Sequence, residues 1–477
     1  MASSCNKSFS GDYMLLNSNE ASFLDLCTIL FSSDIGKRKF VDCPEGVRPE
    51  PFGRRWIIFV SVLAQKMLQA VSKPLAGFGS GVEYWLNLLS SNQGFFRLIM
   101  NSIKGNVIYP EKTSASFVSF IGHIDSRLHL DSKISDGDKR YHALLSIMAA
   151  KASYENKNFI DLIVKDYWKM DILVSLYDFW NDYQEKATTQ AFILEDKKDL
   201  IIVAFRGTET FDAEAWSTDA DISWYELPQI GKVHGGFLKA LGLQTSQGFP
   251  KEQDENKPQV AYYAIRKLLK EKLQSNDKAK FIVTGHSLGG ALAALFPAIL
   301  AMHEEKLLLE RMEGVYTFGQ PRVGDEKFGE FMKGVIKEYD VKYCRCVYGY
   351  DLVPRLPYDD ATLMFKHFGS CIYFDSNYQG KVLEEEPDKN YFSLMSLIPK
   401  TVNACWELIR SFTISYTKGP DYKEGGLLRL LRVIGFLLVA GVPAHCPQDY
   451  VNSIRLGPPQ VFLSILNAND KKLFKIQ

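Results

Sequence analysis

An excess of charge of one sign is what this chain lacks: 56 Lys and Arg stand against 56 Asp and Glu in 477 residues. Such balance offers no electrostatic handle on polyanions, so nucleic acid is not expected as a partner. Patterned cysteine is lacking too. Cys5, Cys27, Cys43, Cys344, Cys346, Cys371, Cys405 and Cys446 form neither a Cys-x-x-Cys pair nor a dense framework. They read as free thiols in a reducing compartment. No His-x-x-x-His pair or acidic calcium loop is found, so neither a metal nor a cofactor is expected. The start, Met1 to Ser8, carries no basic stretch running into an apolar one, and position 2 is not glycine. The end, Phe474 to Gln477, matches no lipidation or address signal, so a cytosol-facing protein is expected.

What is present is ample material for a core, with 46% hydrophobic and 13% aromatic residues. The length suits one large α/β domain plus an appendage, or two to three ordinary domains. Residues 1–50 resist assignment. From 52 to 108 the composition turns apolar, aromatic and basic, with Arg54, Arg55, Lys66, Lys73, Arg97 and Lys104 against Glu83 alone. The longest charge-free run in that segment, Tyr84 to Phe96, has 13 residues. A membrane-crossing helix needs about 18. The mixture suits a segment lying in a membrane interface; the alternative is a helical hairpin packed on the main domain with its lysines reaching out.

A main domain is expected over 136–477, after an N-terminal helical, membrane-associating region of 1–135. Tyr141 to Tyr154 has helical periodicity, Thr189–Leu194 and Leu200–Phe205 read as a hairpin, and Pro258 to Leu273 reads as an amphipathic helix. Further strands are expected at Gly314–Gly319 and Val341–Tyr348. Strands alternating with helices predict a mostly parallel sheet.

The sharpest motif is Gly285-His286-Ser287-Leu288-Gly289-Gly290, set between the buried strand Lys280–Thr284 and the small-residue run Ala291–Leu295. A strand, a strained turn carrying serine and a closely packed helix form a nucleophile elbow. A serine nucleophile needs a base, and the base a carboxylate, in the chain order Ser, Asp, His. Asp351 follows a strand in the proline-punctuated Tyr348–Pro357. Asp325 is less well placed, because its loop resembles the start of a helix. Only His367 and His445 lie downstream. His445, on the loop Gly441–Tyr450, is favoured over His367, whose surroundings alternate like a strand. Backbone N–H groups of Leu288 and of Thr208, in the turn after Phe205-Arg206-Gly207, are the candidate oxyanion donors.

Five motifs occur in sequence: Phe205-Arg-Gly-Thr208, Val233-His-Gly-Gly-Phe237, the Ser287 elbow, Phe318-Gly-Gln-Pro-Arg-Val-Gly324 and Asp351-x-Val-Pro-x-Leu-Pro357. Over about 190–450 the chain thereby resembles the class 3 lipases of filamentous fungi and plants. The segment around Gly77–Leu89 and the ending Pro443–Arg455 resemble the plant oil-body lipases within that family. The resemblance implies an α/β-hydrolase fold and Ser287, Asp351 and His445 as catalytic triad. It also implies Thr208 and Leu288 as oxyanion donors, and triacylglycerol hydrolysis at a lipid-droplet surface or the endoplasmic reticulum membrane. In fungal members the stretch after the Arg-Gly-Thr/Ser turn is a lid; here Thr210–Asp219 is more acidic and less apolar.

Asp351 and His445 are separated by an insertion at about 380–440. Within it Arg429 and Arg432 lie one turn apart on an otherwise apolar helix, read as a second lid or membrane contact or, alternatively, as a buried helix. Residues 391–443 carry six basic against three acidic groups, which suits an anionic monolayer. Rival readings are a phospholipase A1 or galactolipase, and a non-catalytic lipase-like scaffold. Acyl-chain preference and oligomeric state leave no trace in the sequence.

Overall fold

The computed structural model describes residues 10–44, 49–181, 185–242, 249–253, 256–357, 364–389, 391 and 397–466. Cys5 and both chain ends lie outside them; the other seven cysteines are free.

Among the described residues, twelve strands form two sheets: β1 (Tyr13–Leu16), β2 (Val41–Asp42), β3 (Asp171–Asn181), β4 (Lys186–Glu195), β5 (Leu200–Phe205), β6 (Trp224–Leu227), β7 (Gly231–His234), β8 (Lys280–His286), β9 (Met312–Phe318), β10 (Lys342–Tyr348), β11 (Cys371–Phe374) and β12 (Gly380–Leu383). The helices that matter here are α1 (Phe23–Phe31), α2 (Phe52–Ser91), α3 (Phe95–Ile103), α4 (Phe120–Ile124), α5 (Tyr141–Ala152), α6 (Ala213–Ala220), α7 (Ala261–Ser275), α8 (Leu288–Met302), α9 (Glu326–Glu338), α10 (Leu397–Thr417), α11 (Gly426–Leu437) and α12 (Pro447–Leu456).

The large sheet has the order β12-β11-β10-β9-β8-β5-β4-β3. Its centre, β5-β8-β9-β10-β11, is parallel, and both ends are antiparallel. Residues alternate across it. Ile201, Val203 and Phe205 of β5 face a core built with α7, α8 and α9, while Ile202 and Ala204 face one built with α5 and α12. A sheet covered on both faces reads as continuous apolar strands, which β5 and β8 are. This is the α/β-hydrolase arrangement.

The first 50 residues contribute strands as well as α1. β1 pairs antiparallel with β6, so the small sheet β2-β1-β6-β7 crosses the boundary drawn at 135. Such pairing joins residues about 210 apart in sequence and leaves no local signal.

Helix α2 is built inside out. Its buried positions are Ile58, Ser61, Val62, Gln65, Gly79 and Asn87, mostly small or polar. Its exposed positions include Phe52, Trp56, Val60, Met67, Val71, Phe78 and Trp85, spaced by four or seven and therefore on one stripe. At 1.5 Å per residue that stripe is about 50 Å long. Helix α3 adds exposed Phe95, Phe96, Ile99, Met100 and Ile103. In the insertion, α10 buries Lys400, Glu407, Arg410 and Ser411 and exposes Ile398, Val402, Trp406, Ile409 and Phe412. Helix α11 likewise buries Arg432 and exposes Leu430, Val433, Ile434 and Leu437. No helix among the described residues is long and apolar enough to cross a membrane.

The charges of the insertion divide between interior and surface. Arg432 does not face outward. It is enclosed, with Nε and Nη2 donating to Glu424 at 2.7 and 2.9 Å, Nη1 to Glu407 at 3.2 Å and Nη2 to Asp449 at 3.1 Å. Part of the charge of 391–443 is internal: Lys400, Arg410 and Arg432 are buried along with Glu407 and Glu424, while exposed Lys418 and Lys423 and half-buried Arg429 still outnumber exposed Asp421. Desolvated cations persist only with partners, and Arg410 finds Asp449 at 3.0 Å.

Candidate active site

Strand β8 ends at His286 and α8 begins at Leu288, leaving Ser287 alone in the turn. Its φ of 59° lies in the left-handed region that side chains avoid. The neighbouring backbone enforces this turn: a Cβ at Gly285 would stand 2.1 Å from the carbonyl carbon of Gly289. The Ser287 N–H donates to Phe318 O at 2.9 Å, tying the turn to β9.

Asp351 follows β10, as its strand-end position predicted, and is fully buried. His445 sits in a short helical turn, Pro443–His445, between α11 and α12. The structure brings the three together. His445 Nε2 is 2.8 Å from Ser287 Oγ, and Nδ1 is 2.8 Å from Asp351 Oδ2. The carboxylate accepts at Nδ1, so that nitrogen carries the hydrogen and Nε2 is free to take the serine proton.

Asp351 is further held by two donors that the sequence gave no reason to expect. Val353 N–H donates to Oδ1 at 2.9 Å, and Tyr450 OH to Oδ2 at 2.5 Å. His286 supports His445 from behind. Its Nε2 lies 2.8 Å from His445 O, and its Nδ1 2.8 Å from Tyr154 OH. A carbonyl only accepts, so Nε2 carries the hydrogen and Tyr154 donates to Nδ1. Burial lowers the His286 pKa well below its ordinary value, which keeps this ring neutral. Neither Tyr154 nor Tyr450 belongs to a motif; only their packing reveals them.

The other candidates lie elsewhere. His367 Nε2 bonds to Pro354 O at 2.7 Å and faces Glu386, which pairs with Arg345 at 2.7 Å, a structural cluster away from Ser287. Only Cys371–Phe374 of its stretch is a strand, and residues 358–363 lie outside the described residues. Asp325 caps α9 by accepting from Phe328 N–H at 2.9 Å.

Leu288 is the first residue of α8, where an N–H has no acceptor within the helix. Thr208 follows β5, and its hydroxyl lies 3.2 Å from Asp219 Oδ2. The stretch 210–219 forms α6 rather than an extended flap, capped by Asp212. Burial pushes the Asp219 carboxyl up to about 7, against the opposing pull of the Thr208 hydrogen bond. Its Oδ1 has no hydrogen-bond partner.

A cavity of about 300 Å³ opens beside His445. Its walls are Phe120, Ile121 and Ile124 of α4 on one side and Leu431, Ile434 and Leu438, on and just after α11, on the other, with Thr208 and Trp216 at its edge. Val82 and Leu86 of α2 pack on α4, so the inside-out helices adjoin this mouth. The arrangement suits acyl transfer from an apolar substrate: a serine, a neutral base with its carboxylate, and an apolar chamber.

Comparison with known proteins agrees. The class 3 lipase family model matches residues 202–361. The triacylglycerol lipase OBL1 of Arabidopsis thaliana is 41% identical, with 94% of this chain and 95% of that one aligned. The protein of the same name from Nicotiana tabacum is 42% identical over 84% of this chain and 83% of its own. Among solved structures, the triacylglyceride lipase of Rhizomucor miehei superposes with a TM-score of 0.40 at 23% identity, over 53% of this chain and 88% of that one. The chain belongs to the class 3 lipase family and is a carboxylic ester hydrolase.

Proposed function

We propose that this chain hydrolyses triacylglycerol to free fatty acid with Ser287, His445 and Asp351 as its triad, while seated on the surface of a lipid droplet. One observation carries the reading: the Ser287–His445–Asp351 hydrogen bonds lie beside an apolar cavity, and the helices at its rim turn their apolar faces outward. Water gives such faces no reason to form; a lipid monolayer does. Exposed Lys73, Arg97 and Lys104 flank the stripe, while Glu83 turns inward to accept from Phe120 N–H at 2.8 Å. The outward charge thus complements anionic headgroups.

Ser287 Oγ attacks the ester carbonyl as its proton passes to His445 Nε2, and Asp351 stabilises the imidazolium. The N–H groups of Thr208 and Leu288 receive the developing oxyanion, each contributing roughly 3–4 kcal/mol. His445 returns the proton to the departing glycerol oxygen. Water, deprotonated by the same nitrogen, then attacks the acyl-serine, releases the fatty acid and restores Ser287.

The test is fatty-acid release from emulsified triolein, diolein and phosphatidylcholine by the wild type and Ser287→Ala. Release from triolein should exceed that from phosphatidylcholine and fall to background in Ser287→Ala. Faster release from phosphatidylcholine would make the protein a phospholipase A1, and turnover surviving Ser287→Ala would remove the triad from the account.

A further inference from the structure

The buried face of α2 does more than anchor a lipid-facing helix. Ser61 Oγ donates to Ala220 O at 2.7 Å, and Gln65 Nε2 lies 3.4 Å from Asp221 Oδ1. These contacts hold the C-terminal end of α6. At the other end Gly79 lies against Phe211, whose ring stacks edge-on to Phe78 at 5.9 Å and Phe120 at 4.9 Å. Phe211 immediately precedes Asp212, the cap of α6. Helix α6 carries Asp219, which receives the Thr208 hydroxyl. The 211–221 segment is therefore gripped at both ends by one helix drawn from far earlier in the chain, and Asp219, near its C-terminal end, meets the hydroxyl of Thr208.

We propose that α2 is a positioning element for the oxyanion-binding turn, acting through the Gly79–Phe211 contact on α6 and through α6 on Thr208. The inference rests on the reading of Thr208 as an oxyanion donor. It makes α6 part of the α2 platform rather than a flap free to swing. The turn is then assembled before lipid arrives, and hydrolysis of a dissolved ester needs no interface. Oxyanion stabilisation acts only in the transition state, so loosening the platform lowers kcat and leaves KM nearly unchanged.

Glycine at 79 makes the contact testable. A Cβ there would stand 2.4 Å from Phe211 Cβ and 2.5 Å from its Cγ. Carbon atoms settle at about 3.5–4.0 Å, so Gly79→Val must push α2 and Phe211 apart by roughly 1 Å. No residue of the outer stripe is itself substituted. The experiment compares wild type, Gly79→Val and the double variant Gly79→Val/Phe211→Ala. The readouts are kcat and KM on dissolved p-nitrophenyl butyrate, the melting temperature, and binding to a phosphatidylcholine-coated triolein emulsion.

Gly79→Val should lose tenfold or more in kcat, hold KM within about twofold and still bind the emulsion. Removing the opposing ring in the double variant should return kcat to within about threefold of wild type. Wild-type kcat in Gly79→Val, a loss confined to KM, or no rescue by Phe211→Ala would each overturn the proposal. Ester hydrolysis by the wild type that is absent in Ser287→Ala reports separately on the functional reading. If that hydrolysis is missing, both fall; if it is present and insensitive to the wedge, only this one does.

Discussion

Helices α9 and α2 both lie on the outside of the molecule, yet they are built in opposite senses. Helix α9 buries Phe328, Met332 and Val335 and leaves Lys327, Glu330, Lys333 and Lys337 in solvent. Helix α2 buries Ser61, Gln65, Gly79 and Asn87 and leaves Trp56, Met67, Val71 and Trp85 outside. Each polar group buried by α2 has a specific partner: both amide atoms of Asn87 meet the backbone of Val118 at 2.8 Å. Hydrogen bonds, together with buried Ile58 and Val62, hold α2, whereas the buried face of α9 is apolar. The difference leaves α2, α10 and α11 with outward apolar faces, which is what the proposed seat on a lipid surface requires.

The comparison breaks most severely at Arg432. Arg432→Met leaves the enclosed carboxylates of Glu424, Glu407 and Asp449 with Arg410 as their one remaining cation among the described residues, and should lower unfolding free energy by about 3–5 kcal/mol in a denaturant titration. Arg429→Ala, one turn away, donating to Ser411 O at 3.0 Å and lying over the Phe412 ring at 4.3 Å, should cost less than about 1.5 kcal/mol. Equal costs would mean that α11 is not inverted.

At the surface, Met67→Glu should withdraw one apolar side chain from lipid. At about 2 kcal/mol this weakens emulsion binding roughly 30-fold while leaving stability unchanged. Lys333→Glu on α9 is the matched control and should leave binding as it is.

A smaller effect separates the platform from the triad by pH. Asp219, raised to about 7, takes up a proton as pH falls and no longer draws the Thr208 hydroxyl as an anion. Between pH 8 and pH 6 the wild-type kcat should therefore fall about tenfold more than that of Asp219→Asn. The linkage has a definite sign. The folded carboxyl titrates above the ordinary 3.8, so from about pH 4 to 7 the folded state holds a proton that the unfolded state has lost. Stability from this group declines as pH rises through that window, and Asp219→Asn should flatten the decline. Smallest of all, Asp325→Ala removes an ordinary cap from α9 and should cost about 1 kcal/mol without touching lipid binding or turnover.

The site was largely legible because its signals are local. Ser287 sits in a turn that only neighbouring glycines permit, Asp351 stands at the end of an apolar strand, and His445 is one of only two histidines beyond it. Tyr450 and Tyr154 were not legible, since a tyrosine hydroxyl aimed at a carboxylate or an imidazole looks in sequence like any core aromatic. Arg432 misled for a related reason: a cation on an apolar helix looks exposed until Glu407 and Asp449 arrive from other helices. The pairing of β1 with β6 is non-local and equally invisible. In α2 the apolar and basic composition could be read, but not which face turns outward, because composition does not say which residues meet the protein.

That direction is the central claim, and one measurement reaches it. A polarity-sensitive fluorophore is attached at Met67→Cys on α2 or at Glu330→Cys on α9, in a Cys405→Ser background because Cys405 is exposed. On mixing with a phosphatidylcholine-coated triolein emulsion, emission from position 67 should shift to the blue while that from 330 stays fixed. If 67 stays in water with the emulsion bound, or if both positions shift alike, the lipid-facing reading of α2 is wrong.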